Sequence, residues 1–226
     1  MSSPLAKAKK SFIDSVLVFL HQKTAHFNRV SLLVSGFQYH IEKLNVKDCR
    51  LLDIGCGDMR LSRELSESIN SSRYCGVDIY PEPDHSERKG WGGYVQFDGT
   101  SLPFAADEFD VAIFSDVLHH VSESNRAALL SEALRVCRYV VVKDHFEYGF
   151  FSRHTLRAMD FFGNYGYGVS VPRRYFEKSS FREFCIEAGA SEVDVFTGFD
   201  LYSHIPLFGT ILRKEWQFYA VCSRAG

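Results

Sequence analysis

From residue 50 onward, short apolar runs alternate with stretches in which apolar residues recur every three or four positions. The runs "CRLLDIG", "RYCGVDIY", "GYVQFDG", "FDVAIFSD" and "YVVVKD" are rich in Val, Ile and Leu and predict strands. The stretches "MRLSRELSESI" and "SNRAALLSEALRVC" between them predict helices. Strands of this kind alternating with helices form a parallel sheet covered on both faces. The predicted fold class is therefore α/β, doubly wound. Upstream, residues 11–45 predict two helices, the second being "NRVSLLVSGFQYHIEKL". The alternation breaks over residues 146–178, which read as an insertion before the next unit. Ser179 or Ser180 is placed to cap a helix "FREFCIEAG" that Gly189 closes. The runs "SEVDVFTGF" and "EWQFYAVCS" predict two final strands, an antiparallel pair at a sheet edge.

Composition narrows this only a little. A chain of 226 residues builds one sizeable core, so residues 1–226 read as one domain, with N-terminal helices over 1–48 and the insertion inside it. Hydrophobic residues at 46% and charged ones at 24% describe an ordinary soluble protein. A net charge of −2 gives no general attraction to nucleic acid or to an anionic membrane. The six cysteines, at 49, 56, 75, 137, 185 and 222, show no C-x-x-C pair and no cysteine–histidine spacing for zinc. They read as a reduced, cytoplasmic protein with no metal. Lys7, Lys9 and Lys10 ahead of "FIDSVLVFL" imitate a signal peptide, but Asp14 interrupts the run. The run is also too short to span a bilayer, so no stable membrane insertion is expected. Phe12, Val16, Phe19 and Lys23 fit an amphipathic helix packing on the domain.

The stretch "LLDIGCGDMR" carries the chemistry. Gly55 and Gly57, one residue apart where the first strand ends, would weaken a strand or a helix. They suit a sharp strand-to-helix turn whose N–H groups face a ligand beyond the carboxyl ends of the strands. An acidic residue about 20 positions on then grips ribose hydroxyls; Asp78 lies 21 positions after Gly57. A dinucleotide site requires G-x-G-x-x-G, because pyrophosphate rests on an uncluttered helix N-terminus. Here Arg60 takes the third glycine's place and Asp53 and Asp58 flank the turn. Those carboxylates repel a pyrophosphate and suit a ligand bearing an ammonium and a sulfonium, which favours S-adenosylmethionine (SAM).

The motifs "LLDIGCGD", "GVDI", "FDGTSLPFAADEFDVAIFSDVLHHV" and "EALRV" occur in that order over roughly residues 50–142. In this the chain resembles class I SAM-dependent methyltransferases, closest to the methyltransferase type 11 group. The resemblance implies a seven-stranded sheet with one antiparallel strand. It also implies that Asp53, Gly55, Cys56 and Gly57 contact the amino-acid part of SAM. Asp78 and Ile79 would hold ribose and adenine, Asp98 and Gly99 the adenine edge, and Ser115 and Asp116 the floor of the pocket. Two positions depart from the pattern. Met59 stands where the family usually has glycine, and "VCRYVVV" replaces the usual Pro-Gly-Gly turn before the fifth strand.

Methyl transfer is an in-line displacement at a carbon activated by the positive sulfur, so alignment and exclusion of water dominate. A general base is needed when the nucleophile is a hydroxyl. Histidine suits that task, and three follow strands on the ligand side: His119, His120 and His145. His145 is favoured because it leads into the insertion, with Asp144 beside it to orient the ring. Residues 146–176 hold ten aromatic rings in thirty-one residues against 15% for the chain, as an apolar or aromatic acceptor pocket requires. Gly163, Gly166 and Gly168 suit hinges of a closing lid. Arg153, Arg157, Arg173 and Arg174 suit an anionic or carrier-bound acceptor. The expected activity is methylation of a small hydrophobic or aromatic molecule, with O-methylation slightly preferred. RNA methylation, a SAM-binding partner without catalysis, and a nicotinamide-dependent oxidoreductase are the alternatives.

Overall fold

A computed structural model describes residues 26–81, 93–163, 171–201 and 212–225. The predicted helix before residue 26 and Gly166 and Gly168 lie outside the described residues. Helix α1 spans His26–Glu42, and strand β1 spans Arg50–Ile54. After β1 come α2 (Arg60–Ser68), β2 (Arg73–Asp78), β3 (Gly93–Gln96) and β4 (Phe109–Ser115). A short 3-10 turn, Leu118–His120, precedes α3 (Glu123–Val136) and β5 (Cys137–His145). The remaining elements are α4 (Gly149–Gly163), α5 (Lys178–Glu187), β6 (Glu192–Thr197) and β7 (Gln217–Ser223).

The strands form one seven-stranded sheet in the order β3-β2-β1-β4-β5-β7-β6. β7 runs antiparallel to both its neighbours, and the other pairs are parallel. Strand order reverses between β1 and β4, which opens a crevice at their carboxyl ends. The register brings Asp53, Asp78, Ser115 and Lys143 to that same edge.

Side-chain alternation along each strand feeds two cores. Leu52, Ile54, Ala112, Phe114, Val140 and Val142 face one side, where α3 supplies Leu130 and Ala133 and α5 supplies Phe181 and Cys185. Leu51, Val111, Ile113 and Val141 face the other, under α1, α2 and α4. Each buried Leu, Ile, Val or Phe contributes about 1.5–3 kcal/mol. On α1, Val30, Leu33, Val34, Phe37 and Ile41 form the buried stripe. Gly36 lets that helix approach Tyr219 of β7: a Cβ there would sit 2.2 Å from the phenol oxygen.

Two local readings change. Helix α5 begins at Lys178, with Glu177 at its N-cap and no side-chain cap. Ser179 and Ser180 therefore lie inside its first turn, and the Ser180 hydroxyl donates to the Glu177 carbonyl. Gly189 does close the helix, at φ +102°, with its amide on the Ile186 carbonyl. The other change concerns "VCRYVVV": α3 passes into β5 with no intervening residue, as Cys137 N–H still donates to the Ala133 carbonyl. This junction lies at the edge of the sheet away from the crevice.

Candidate functional site

The bend after β1 is built by backbone. Gly55 N–H and Cys56 N–H both donate to the Val77 carbonyl, at 2.8 and 3.1 Å. Gly55 sits at φ +78° and Gly57 at φ +51°, a region in which a Cβ is costly. A Cβ on Gly55 would also meet Val117 at 2.5 Å. Asp78 reaches back from the end of β2: its Oδ2 accepts Gly57 N–H at 2.9 Å, and its Oδ1 accepts Tyr80 N–H at 3.2 Å. The sequence expected these two features side by side, and a hydrogen bond joins them.

Asp53 is nearly fully buried and points toward α2, where Ser62 Oγ donates to it at 2.5 Å. Burial pushes its carboxyl up to about 7, against the pull of the Ser62 hydrogen bond. Asp98 is exposed, and its Oδ1 collects Thr100 N–H, Thr100 hydroxyl and Ser101 N–H, all at 2.8 Å. It shapes the loop after β3. Gly99, at φ +83°, lies against Ile79, and Phe97 N–H donates to the Asp78 carbonyl at 3.0 Å. The ends of β2 and β3 thus sit together, with Ile79 half exposed.

Met59 occupies a left-handed position at φ 62°, where a glycine is the unstrained choice. Its side chain is buried and tucks onto Gly76 of β2: a Cβ on Gly76 would lie 2.1 Å from the Met59 sulfur and 2.6 Å from that of Cys56. The thioether is therefore directed into the layer between α2 and the sheet, leaving the bend's outer face to its glycines. Gly76 within "RYCGVDIY" is the sequence partner of this departure.

At the ends of β4 and β5 the construction is electrostatic. Asp116 stands at φ 57°. Its Oδ1 accepts Lys143 Nζ at 2.6 Å, and its Oδ2 pairs with Arg29 of α1 at 2.5 Å. Burial alone would raise the Asp116 carboxyl, but its cationic neighbours, Lys143 foremost, outweigh it and hold it well below the usual range. Lys143, Asp144 and His145 are all buried. His145 Nδ1 lies 3.2 Å from Asp116 Oδ1, and neither ring nitrogen has a hydrogen-bond partner among the described residues. Burial, with the ammonium of Lys143, lowers the His145 imidazole, so the ring is neutral.

His119 is the opposite case. Its Nδ1 lies 2.5 Å from Asp144 Oδ1 and its Nε2 3.4 Å from Asp160 Oδ2 of α4. Burial lowers its affinity for a proton, yet Asp144 and Asp160 together raise it to about 10. His119 is an imidazolium at neutral pH and takes no further proton, which removes it as a base. His120, half buried, packs its ring on His119 at 4.1 Å. Asp116, His119, Asp144 and His145 bring four possible metal-donor atoms within 4.8 Å of one another. A divalent ion there would have to displace the ammonium of Lys143 and strip the proton from His119, so the donor set favours the internal ion pairs.

The insertion divides its aromatic residues. Phe146, Tyr175 and Phe176 are buried, and Phe146 stacks on Phe218 at 3.9 Å. Tyr148, Phe150, Phe151 and Phe161 are exposed. Arg153 grips Glu147 with its Nε and Nη2, which takes it from the set expected to meet an acceptor anion. Glu147 also accepts Tyr175 N–H at 3.0 Å. Arg173 and Arg174 are exposed. Sequence reasoning missed Arg29, Lys143 and Asp160, and it had Tyr175 only as one of the aromatic rings expected at the acceptor pocket. Only Lys143 had a local signal, a cation within the apolar run "YVVVKD".

Residues 52–139 match the family described as a methyltransferase domain, of the type 11 group. An uncharacterized methyltransferase of Mycobacterium leprae is 29% identical over 139 residues, 58% of this chain and 49% of its own. The chain spans about half the length of the curated relatives it matches first. A SAM-dependent methyltransferase from Thermotoga maritima superposes with a TM-score of 0.61 at 17% identity, covering 95% of this chain and 97% of its own. The 1,6-didemethyltoxoflavin-N1-methyltransferase of Burkholderia thailandensis, solved with its substrate and S-adenosylhomocysteine, gives 0.59 at 15% identity over 100% and 92%. Both likenesses are of fold.

A seven-stranded sheet in this order, with a glycine bend after β1 tied to a carboxylate ending β2, has the fold of class I methyltransferases. The match over residues 52–139 runs from β1 to the start of β5 and takes in the glycine bend and Asp78, and S-adenosylmethionine is the cofactor it indicates. Among the described residues, no helix is long and apolar enough to cross a membrane.

Proposed function

We propose that the protein transfers the SAM methyl group to a hydroxyl of a small hydrophobic or aromatic acceptor. The observation that carries this reading is the His145 ring: neutral, buried beside Asp116, and without a hydrogen-bond partner for either nitrogen. An unpartnered buried polar group costs about 1–3 kcal/mol, and an acceptor hydroxyl donating to the ring relieves that cost. The oxygen then attacks the methyl carbon, the carbon–sulfur bond breaks with its electron pair left on sulfur, and His145 keeps the proton. Gly55, Cys56 and Gly57 would seat the methionine end of SAM and Asp78 its ribose, with Ile79 and Gly99 flanking the adenine. Asp53 stands behind the bend and supports it through Ser62.

Tyr148, Phe150, Phe151 and Phe161 supply apolar surface on the insertion for such an acceptor. With Arg153 bound to Glu147, support for an anionic or carrier-bound acceptor falls to the exposed arginines of the insertion.

The test is a transfer assay with SAM against phenols, acids and carrier-bound acyl groups, reading S-adenosylhomocysteine by mass spectrometry. His145→Ala is expected to slow turnover about 100-fold or more while SAM affinity holds. Unchanged turnover in that variant removes the base from the reading. Methyl incorporation into RNA alone moves the function to nucleic acid.

A further inference from the structure

The His119 ring fills the gap between the sheet and the insertion. Asp144 of β5 touches one ring nitrogen and Asp160 of α4 faces the other. Asp160 in turn accepts the Tyr175 hydroxyl, from the segment that returns to the sheet. All four side chains are buried. The turn that carries His119 is held from a third side, since Arg126 of α3 donates to the His119 carbonyl at 2.9 Å and to the Arg174 carbonyl at 3.3 Å. His120 at 4.1 Å, Tyr175 at 5.2 Å and His145 at 5.6 Å complete the ring's surroundings. Lys143 and Asp116 lie beyond His145.

We propose that Asp160 and Tyr175 are positioning residues: by clamping the protonated His119 ring against Asp144, they fasten helix α4 to the end of the sheet and set the acceptor-side wall beside His145. The physical requirement is simple. A neutral ring that keeps its Nδ1 proton on Asp144 presents a lone pair to the Asp160 carboxylate, and two acceptors at that distance repel. With the second proton in place, one cation is shared by two buried carboxylates, and α4 is drawn onto the sheet. The raised proton affinity of His119 agrees with this arrangement. The lowered carboxyl of Asp160 agrees too: burial would raise it, and His119 outweighs burial.

The role of α4 as an acceptor wall rests on the proposed function; the clamp itself does not. The experiment therefore uses the full chain without any acceptor. Nuclear magnetic resonance follows the His119 ring against pH, and hydrogen exchange follows the amides of Gly149–Gly163. In the wild type the ring is expected to stay protonated past about pH 9. Asp160→Asn, which keeps the shape and removes the charge, should lower that titration by at least about one unit. It should also speed exchange across α4 by about tenfold or more, with β1 to β4 unchanged. Tyr175→Phe keeps both charges, so it should leave the titration within about half a unit and still loosen α4. If Asp160→Asn fails to fold, judged by loss of SAM binding, the wild-type titration and Tyr175→Phe decide the matter. A wild-type ring titrating near the ordinary histidine value overturns the clamp. So does unchanged α4 exchange in both variants, or one equivalent of divalent metal in the purified protein. An intact clamp in a protein that transfers no methyl group would instead refute the proposed function and leave the clamp standing.

Discussion

The two halves of the sheet's carboxyl edge are assembled by different means. Around β1 and β2 the working parts are backbone amides, two glycines in a left-handed conformation, and the Asp78 carboxylate 21 residues away in the chain. Around β4 and β5 they are buried charges that meet across long stretches of sequence. Arg29 pairs with Asp116, 87 positions on. His119 pairs with Asp144 and faces Asp160. The first construction closes a glycine bend on its own amides, the Val77 carbonyl and one carboxylate, at little electrostatic cost. The second takes several ions out of water, so removing one partner leaves another uncompensated. The difference teaches that cofactor geometry can be written locally, whereas the acceptor side depends on charge balance across the whole domain.

The contrast breaks most visibly when one ion is removed. Lys143→Met should destabilise the protein by about 3–5 kcal/mol, read from urea denaturation. Arg73→Met, which cuts the exposed pair with Glu108 at 3.5 Å, should cost less than about 1 kcal/mol. Equal losses would show that the β4–β5 charges are screened like surface ones.

Stability against pH sharpens the same contrast at a smaller scale. His119 has a folded value of about 10 against an ordinary 6.5. Its contribution is complete below 6.5 and is lost as pH rises through 10. Asp53, raised from 3.8 to about 7, contributes fully below its ordinary value, and that contribution is gone above 7. Stability, and the melting temperature with it, should therefore fall from mildly acidic to alkaline pH through both windows. His119→Gln should flatten the alkaline part and leave the lower part; Asp53→Asn should do the reverse. Asp116 and Asp144 are held low by their cationic neighbours, against burial. Their contribution is present above the usual carboxylate range and lost as pH falls below it.

Met59→Gly should cost about 2 kcal/mol, because the lost packing on Gly76 exceeds the relief of a left-handed residue. SAM affinity should stay within about twofold, and a larger loss would place the thioether on the cofactor side. Phe150→Ser and Phe151→Ser, at 75% and 67% exposed, should each change stability by less than about 0.5 kcal/mol. A larger change would mean that those rings pack in solution and are not free for an acceptor.

What could be read from the sequence follows the same division. The strand runs, the glycine bend and Asp78 are set by short-range patterns, and β1, β2, β4 and β5 run where the apolar residues place them. The antiparallel pairing of β6 with β7 was legible for the same reason. Asp98, which the resemblance sets at the adenine edge, also holds its own loop, where three nearby donors share one of its oxygens. His119 and His145 both follow strands on the ligand side, and sequence favoured His145 only for its place before the insertion. Only the fold decides that two carboxylates flank one ring, while an ammonium stands near the other. Asp160 was one polar residue in a helix until α4 docked, and Arg29 gave no sign of its reach to Asp116.

The most direct trial of the account is calorimetric titration of SAM into the wild-type protein and into Asp78→Ala. One SAM per chain is expected in the wild type, and affinity at least about tenfold weaker in the variant, with the variant still folded by circular dichroism. Equal affinity in both proteins would contradict it, since the ribose would then be held somewhere other than the carboxylate that closes the glycine bend.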